Sequence, residues 1–518
     1  MVIIMHILIL FFLLSSIKIF AFDSFEHFIM NEKHQLFYPY DLKTSENIYP
    51  YKNEISELNK IFDTTDLKSE KIDKENFTKN MLIIGERNKI PISFGEIAAI
   101  AGDYIALNNT DNKTDIFKRI ISIRCAENDD SCNDDIKKRF KKAVGYFLKF
   151  DTYPYDVFPG WSDKKYNFFS MMTYIRENII RPELNALKNA LSKVGKKDLH
   201  LFFLNQGKAV RTMWDNGVSY GKYGGTSAYY QQILAENIDH FEEDAKIVYR
   251  IGHSLALENA FASGKAYKSG DKKNALELLN EAYVTEAFSF HYLTDLFSAG
   301  HIRTPRRAIF EEMSTNLTPM VKGIIANAMH DEDGYFGLSV INSLQDRWIA
   351  YGDESYFAQK SRNNREQINL ALNNSLEEIK NAFNSALNDD TKLSEFMKAN
   401  AMKSFRYIPR VFGEGLDDLM QSFTIQDVNI NPLVNQRGTL IRDPREIHST
   451  VYKPLTTYHT LLSWATSNPN KISSYTDYLL SDNIIFEINN NKLVKYNTLS
   501  IFCYEKEKYN KIDQKMSV

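Results

Sequence analysis

The residues of this 518-residue chain best suited to chemistry cluster near its middle, in His291-Tyr-Leu-Thr-Asp295-Leu-Phe-Ser-Ala-Gly-His301. On a helix, His291 and Asp295 are four positions apart and project from one face, with Phe290, Leu293 and Phe297 forming an apolar stripe beside them. Gly300 is suited to ending that helix, so that His301 re-enters the same region from another backbone direction. Imidazole nitrogen and carboxylate oxygen converging in this way suit a metal ion held at about 2 Å. The same spacing also serves a plain hydrogen-bonded pair, on the surface or in a core.

Other segments must bring partners to this helix. In Ile92-Ser-Phe-Gly-Glu-Ile-Ala-Ala-Ile-Ala-Gly-Asp103, Ser93 and Glu96 form a capping box, and Ile97, Ile100 and Ala101 make a buried stripe. Asp103 follows just past the helix end, as a ligand or as an ordinary turn residue. From Tyr229 to Ala266 the pattern is one long helical passage containing Asn237-Ile-Asp-His-Phe241 and Gly252-His253. On a continuous helix His240 and His253 would be roughly 20 Å apart, too far to serve one site. His240, flanked by turn-prone Asn237 and Asp239, is the expected ligand, and His253 a core or supporting residue.

Lys and Arg total 63 against 66 Asp and Glu, so no basic field is available for a polyanion and nucleic acid is not favoured. Met1 to Ala21, with the apolar run Ile7 to Leu14, reads as a signal peptide cleaved after Ala21. The expected mature protein is then secreted and begins at Phe22; the alternative is an uncleaved anchor. In an oxidising compartment Cys125 and Cys132, on a polar turn, read as a local disulfide, with Cys503 left over. A polar stretch runs from Asp63 to Lys79. The aromatic stretches 151–161 and 214–225 suit a water–lipid boundary or ordinary loop packing. Beyond residue 355, Ile368, Leu372, Leu376, Ile379, Phe383 and Leu387 mark an amphipathic helix, and a less regular region follows Pro409.

With His240-Phe241 some fifty residues before His291, with Ala-Gly-Asp103-Tyr104, and with a histidine six residues after Asp295, the chain resembles the bacterial zinc-dependent phospholipase C superfamily. That superfamily also contains the single-strand-specific zinc nucleases. Asn237-Ile-Asp-His-Phe, Phe297-Ser-Ala-Gly-His-Ile-Arg-Thr-Pro-Arg306 and Met329-His-Asp-Glu-Asp-Gly334 are most similar to the larger secreted phosphatidylcholine-hydrolysing enzymes of Gram-negative bacteria. The likeness covers roughly residues 22–355, leaving 356–518 as a C-terminal helical segment and extension.

The resemblance implies a mainly α catalytic domain with three zinc ions in a cleft. Asp103, His240, His291 and Asp295 would hold the first, with the Asp295 carboxylate bridging to a second. His27 and the free amino terminus of Phe22 would complete that second site. His301 and His330 would hold the third; Gly334 stands where the superfamily often has a carboxylate, so Asp333 or Asp331 substitutes, with Asp333, one turn from His330, preferred. Metal-activated water would then hydrolyse the glycerol-side phosphodiester of a phosphatidylcholine-like lipid at a membrane or micelle surface, with Asp103 orienting the nucleophile or acting as base. No obligate protein partner is implied. Arg303, Arg306 and Arg307 follow the motif, either near an anionic substrate or on the surface. The alternatives are a zinc nuclease or phosphomonoesterase on the same scaffold, and an exported zinc-stabilised binding protein without turnover.

Overall fold

The helical period of the sequence is matched by the fold: 74% of the residues that can be interpreted are helix, and strands are few. The computed structural model describes residues 24–32, 34, 36–42, 81–84, 90–101, 130–149, 176–182, 184–185, 189, 237–304, 306–307, 326, 330, 333–334, 337–352, 355–356, 361–388, 391–400, 402–411, 484–489 and 492–497. Residues 1–21, Phe22, Asp103, Cys125, Asp331, Cys503, the polar stretch 63–79 and the aromatic stretches 151–161 and 214–225 lie outside these.

In chain order the elements are α1 (Ser24–Glu32), β1 (Met81–Ile84), β2 (Ile90–Ser93), α2 (Phe94–Ile100), α3 (Asp130–Lys149), α4 (Glu242–Lys268), α5 (Lys272–Asp295) and α6 (Ala299–Arg303). They continue with β3 (Leu338–Ile341), β4 (Arg347–Ala350), α7 (Arg362–Ser385), α8 (Leu393–Asn400), β5 (Arg410–Val411), β6 (Ile484–Asn489) and β7 (Lys492–Asn497). Strands β1 and β2 pair antiparallel, as do β6 and β7, while β4, β3 and β5 form a small antiparallel sheet in that order. No helix among the described residues is long and apolar enough to cross a membrane.

Helix α5 is the axis of the molecule. Every residue from Ala282 to Asp295 is buried, as expected of a helix whose apolar residues go all the way round. Helix α4 runs antiparallel beside it, and the reversal is set by Gly270 at φ +86°, a conformation a Cβ would oppose. Around it the Asp271 N–H donates to Ala266 O and the Gly270 N–H to Tyr267 O, both at 3.0 Å, a double bond pattern that satisfies the last carbonyls of α4. The Asp271 side chain then caps α5 by accepting from the Asn274 N–H.

Helix α2 carries the expected capping box, with Ser93 Oγ accepting from the Glu96 N–H and Glu96 Oε2 from the Ser93 N–H. Arg176 grips the same Glu96 carboxylate through Nε and Nη2. Helix α1 lies against α2, its Glu32 carboxylate accepting from Ser93 Oγ and from the Gly95 N–H at the positive end of α2. Helix α7 falls beyond residue 355, yet Ile368, Leu372, Leu376, Ile379 and Phe383 enter the same apolar core that runs from Phe25 to Val411. A buried polar knot joins α4, α5 and α7: His253 reaches Glu286 from Nδ1 at 2.9 Å and Glu378 from Nε2 at 3.0 Å.

Three local expectations are corrected. The passage around His240 is not a continuous helix: Asn237–His240 is a tight 3-10 turn, and Phe241 is extended at φ −117° and ψ 145° before α4 begins. Helix α5 ends at Asp295 with Leu296 still right-handed, so Gly300 does not cap it and instead lies within α6. Cys132 belongs to α3, which starts at Asp130, rather than to a turn.

Candidate metal centre

Seven of the expected ligands are brought inside the protein, five of them by four helical segments. His27 comes from α1, His240 from the turn before α4, His291 and Asp295 from α5, and His301 from α6; these, with His330 and Asp333, are all buried. Phe22, Asp103 and Asp331 lie outside the described residues.

The geometry centres on the Asp295 carboxylate, whose two oxygens face different histidines. Oδ1 is 3.3 Å from His27 Nε2. Oδ2 is 2.8 Å from His240 Nδ1 and 3.7 Å from His291 Nε2, and the two imidazole nitrogens are themselves 3.2 Å apart. His27 stacks on His291 with ring centroids 4.1 Å apart, and His240 meets His291 edge-on at 4.9 Å. The ligand atoms of His27, His291 and Asp295 all lie within 4.8 Å of one another, a group that could hold a metal ion.

For His291 and His27 the neighbours indicate which nitrogen carries the proton. His291 Nδ1 is 2.9 Å from the Ala98 carbonyl of α2, which only accepts, so the proton is there and the Nε2 lone pair points at Asp295. Thr294 Oγ1 spends its hydrogen on the Phe290 and His291 carbonyls, so toward His27 Nδ1, 2.7 Å away, it accepts. That leaves the His27 Nε2 lone pair directed at Oδ1 of the same carboxylate. Burial pushes the His291 pKa down to about 3, with the Ala98 bond opposing, so the ring is neutral at any ordinary pH. Lone pairs of two neutral imidazoles and a carboxylate thus converge on one buried point, which calls for a cation. Nitrogen and oxygen donors without thiolate, each imidazole oriented through its other nitrogen, fit zinc or a similar divalent ion.

His301 and His330 make a neighbouring pair, ring centroids 5.1 Å apart. His301 Nδ1 donates to the His240 carbonyl at 2.6 Å, which again leaves Nε2 as the acceptor. Asp333 is buried three residues beyond His330. Gly300 is needed where it is because His330 packs on it: a Cβ there would overlap the His330 ring, 2.6 Å from Nε2. His253 stands apart from the centre in its own knot with Glu286 and Glu378.

Arg306 and Arg307 are not surface residues. Arg307 pairs through Nε and Nη2 with both oxygens of Asp244, and Arg306 is completely buried, which pushes its pKa down to about 9 against the pull of Asp239. Sequence reasoning missed Thr294, the Ala98 carbonyl and the stacking of Phe241 on His301, centroids 4.1 Å apart at 9°. Thr294 had a signal, a hydroxyl directly beside Asp295 in α5; the carbonyl had none. Comparison with protein-family models, with curated proteins and with solved structures returns no match for this chain.

Proposed function

We propose that this chain is an exported zinc-dependent phospholipase C that hydrolyses the glycerol-side phosphodiester of phosphatidylcholine-like lipids to diacylglycerol and a phosphorylated head group. The observation that carries the metal-hydrolase part is the division of the Asp295 carboxylate between His27 on one oxygen and His240 with His291 on the other. A carboxylate with histidines at both oxygens is suited to two ions held side by side. Bound divalent cations supply an activated water near neutral pH and a clamp for phosphoryl oxygens.

The chain's own residues supply the rest. Ala98 and Thr294 hold His291 and His27 in the tautomers that aim Nε2 inward, and His301 is aimed by the His240 carbonyl. Burial keeps the His291 imidazole neutral and ready to ligate. Asp103 is the proposed residue that orients the nucleophile or takes its proton, and Asp333 the proposed partner of His301 and His330. The lipid substrate rests on the resemblance of the motifs and on a charge balance that offers no field for a polynucleotide.

The test is hydrolysis by the purified mature protein of phosphatidylcholine, sphingomyelin and single-stranded DNA, with and without added zinc. Release of diacylglycerol from phosphatidylcholine, abolished in Asp295→Asn, is the expected result. Cleavage of DNA alone would move the function to the nuclease alternative, and bound zinc with no hydrolysis of any of them would make the protein a binding module.

A further inference from the structure

The turn Asn237–His240 and the Phe241 that follows it connect the two histidine groups. His240 Nδ1 faces Asp295 Oδ2 at 2.8 Å in one group, and the His240 carbonyl accepts from His301 Nδ1 at 2.6 Å in the other. Phe241 stacks flat on His301 and meets the His330 ring with centroids 6.2 Å apart. A small shift of this turn would therefore move ligands on both sides at once.

Arg306 bears on the same turn in two ways. Its guanidinium carbon lies over the Phe241 ring, 5.1 Å from the centroid, so Phe241 has the cation and the His301 imidazole as partners together. Its charge is also drawn to Asp239, whose carboxylate is 3.8 Å from His240 Nε2. A wholly buried arginine is costly to desolvate, and two of the groups that offset the cost, Asp239 and Phe241, stand either side of a ligand.

We infer that Arg306 is a positioning residue which locks the Asn237–Phe241 turn between the two histidine groups, so that the metal affinity of both depends on its guanidinium. This rests on reading those groups as metal sites. It assigns a role to Arg306 beyond its own contacts: one residue sets two sites in register through a shared turn.

The experiment is a zinc titration of chelator-stripped wild type, Arg306→Lys and Arg306→Met, repeated with cobalt(II) to follow the visible absorption of the bound ion. Arg306→Met should weaken zinc binding in more than one step, by about ten- to a hundredfold, and shift the cobalt band. Arg306→Lys, whose ammonium can still sit over Phe241, should recover part of the affinity. Ser375→Ala, in the separate polar knot, serves as a destabilised control and should titrate like wild type. Wild-type zinc affinity in Arg306→Met, or a loss no larger than that of Ser375→Ala, would overturn the inference while leaving the metal sites standing. A wild type that binds no zinc or cobalt would overturn the metal reading itself.

Discussion

Two buried clusters in this protein are made of the same side chains and wired in opposite senses. Around Asp295, His291 and His27 turn their N–H groups outward, to the Ala98 carbonyl and to Thr294, and their lone pairs toward the carboxylate, while His240 Nδ1 faces it at 2.8 Å. Around His253 both ring nitrogens face carboxylates, Glu286 at one and Glu378 at the other, so both must carry protons. Burial alone would lower the His253 pKa, but Glu286 and then Glu378 reverse this and hold it up to about 10. The His253 cluster thus contains its own cation, while the Asp295 cluster is arranged to receive one. Histidine and carboxylate content does not separate a structural knot from a metal centre; the direction of the imidazole protons does.

The largest effect that would sharpen this contrast on the structural side is expected from Glu286→Gln. It leaves a buried imidazolium with one carboxylate, and it replaces the charged acceptor of Ser375 Oγ with a neutral amide. Loss of about 3–5 kcal/mol in chemical denaturation is expected, with zinc content unchanged. A variant that lost zinc instead would show the two clusters to be one functional unit.

A smaller and graded effect follows from pH. The His253 pKa is raised on folding, so its stabilisation is fully present below the unfolded value near 6.5 and is lost as pH rises through about 10. His291 has the opposite sign: its folded pKa is depressed to about 3, so its contribution is present above 6.5 and is lost as pH falls toward 3. Denaturant midpoints of the metal-free protein should decline above pH 6.5 with a slope of up to about 1.4 kcal/mol per pH unit from His253. The alkaline part of the slope should vanish in His253→Gln. If it persists there unchanged, the wiring of the knot has been misread.

The sequence made some of this legible because the signals were local. The capping box at Ser93 and Glu96 and the amphipathic stripe of α7 are contained within one helix each, and both are present. The i,i+4 pair His291 and Asp295 does share a face. What failed were readings that depended on distant packing. The periodicity across His240 concealed a turn, because apolar spacing continues through Ile238 and Phe241 although the backbone does not remain helical. Gly300 looked like a helix terminator, yet its small size is used by His330, more than a turn of sequence away. The proton directions that distinguish His291 from His253 come from Ala98, Glu286 and Glu378, and no pattern within either helix could have supplied them.

The central claim, that the cluster around Asp295 is a metal centre, is tested most directly by metal content. Wild type and Asp295→Asn, each stripped with chelator, supplied with excess zinc and dialysed, should be compared by elemental analysis and by melting temperature with and without zinc. The account predicts bound zinc and a zinc-dependent rise in melting temperature for wild type, and loss of at least the ions that share Asp295 in the variant. In chelator the variant should be no less stable than wild type, since the amide removes a charge that is costly to bury. Equal zinc content in the two proteins, or a wild type whose melting ignores zinc, would contradict it.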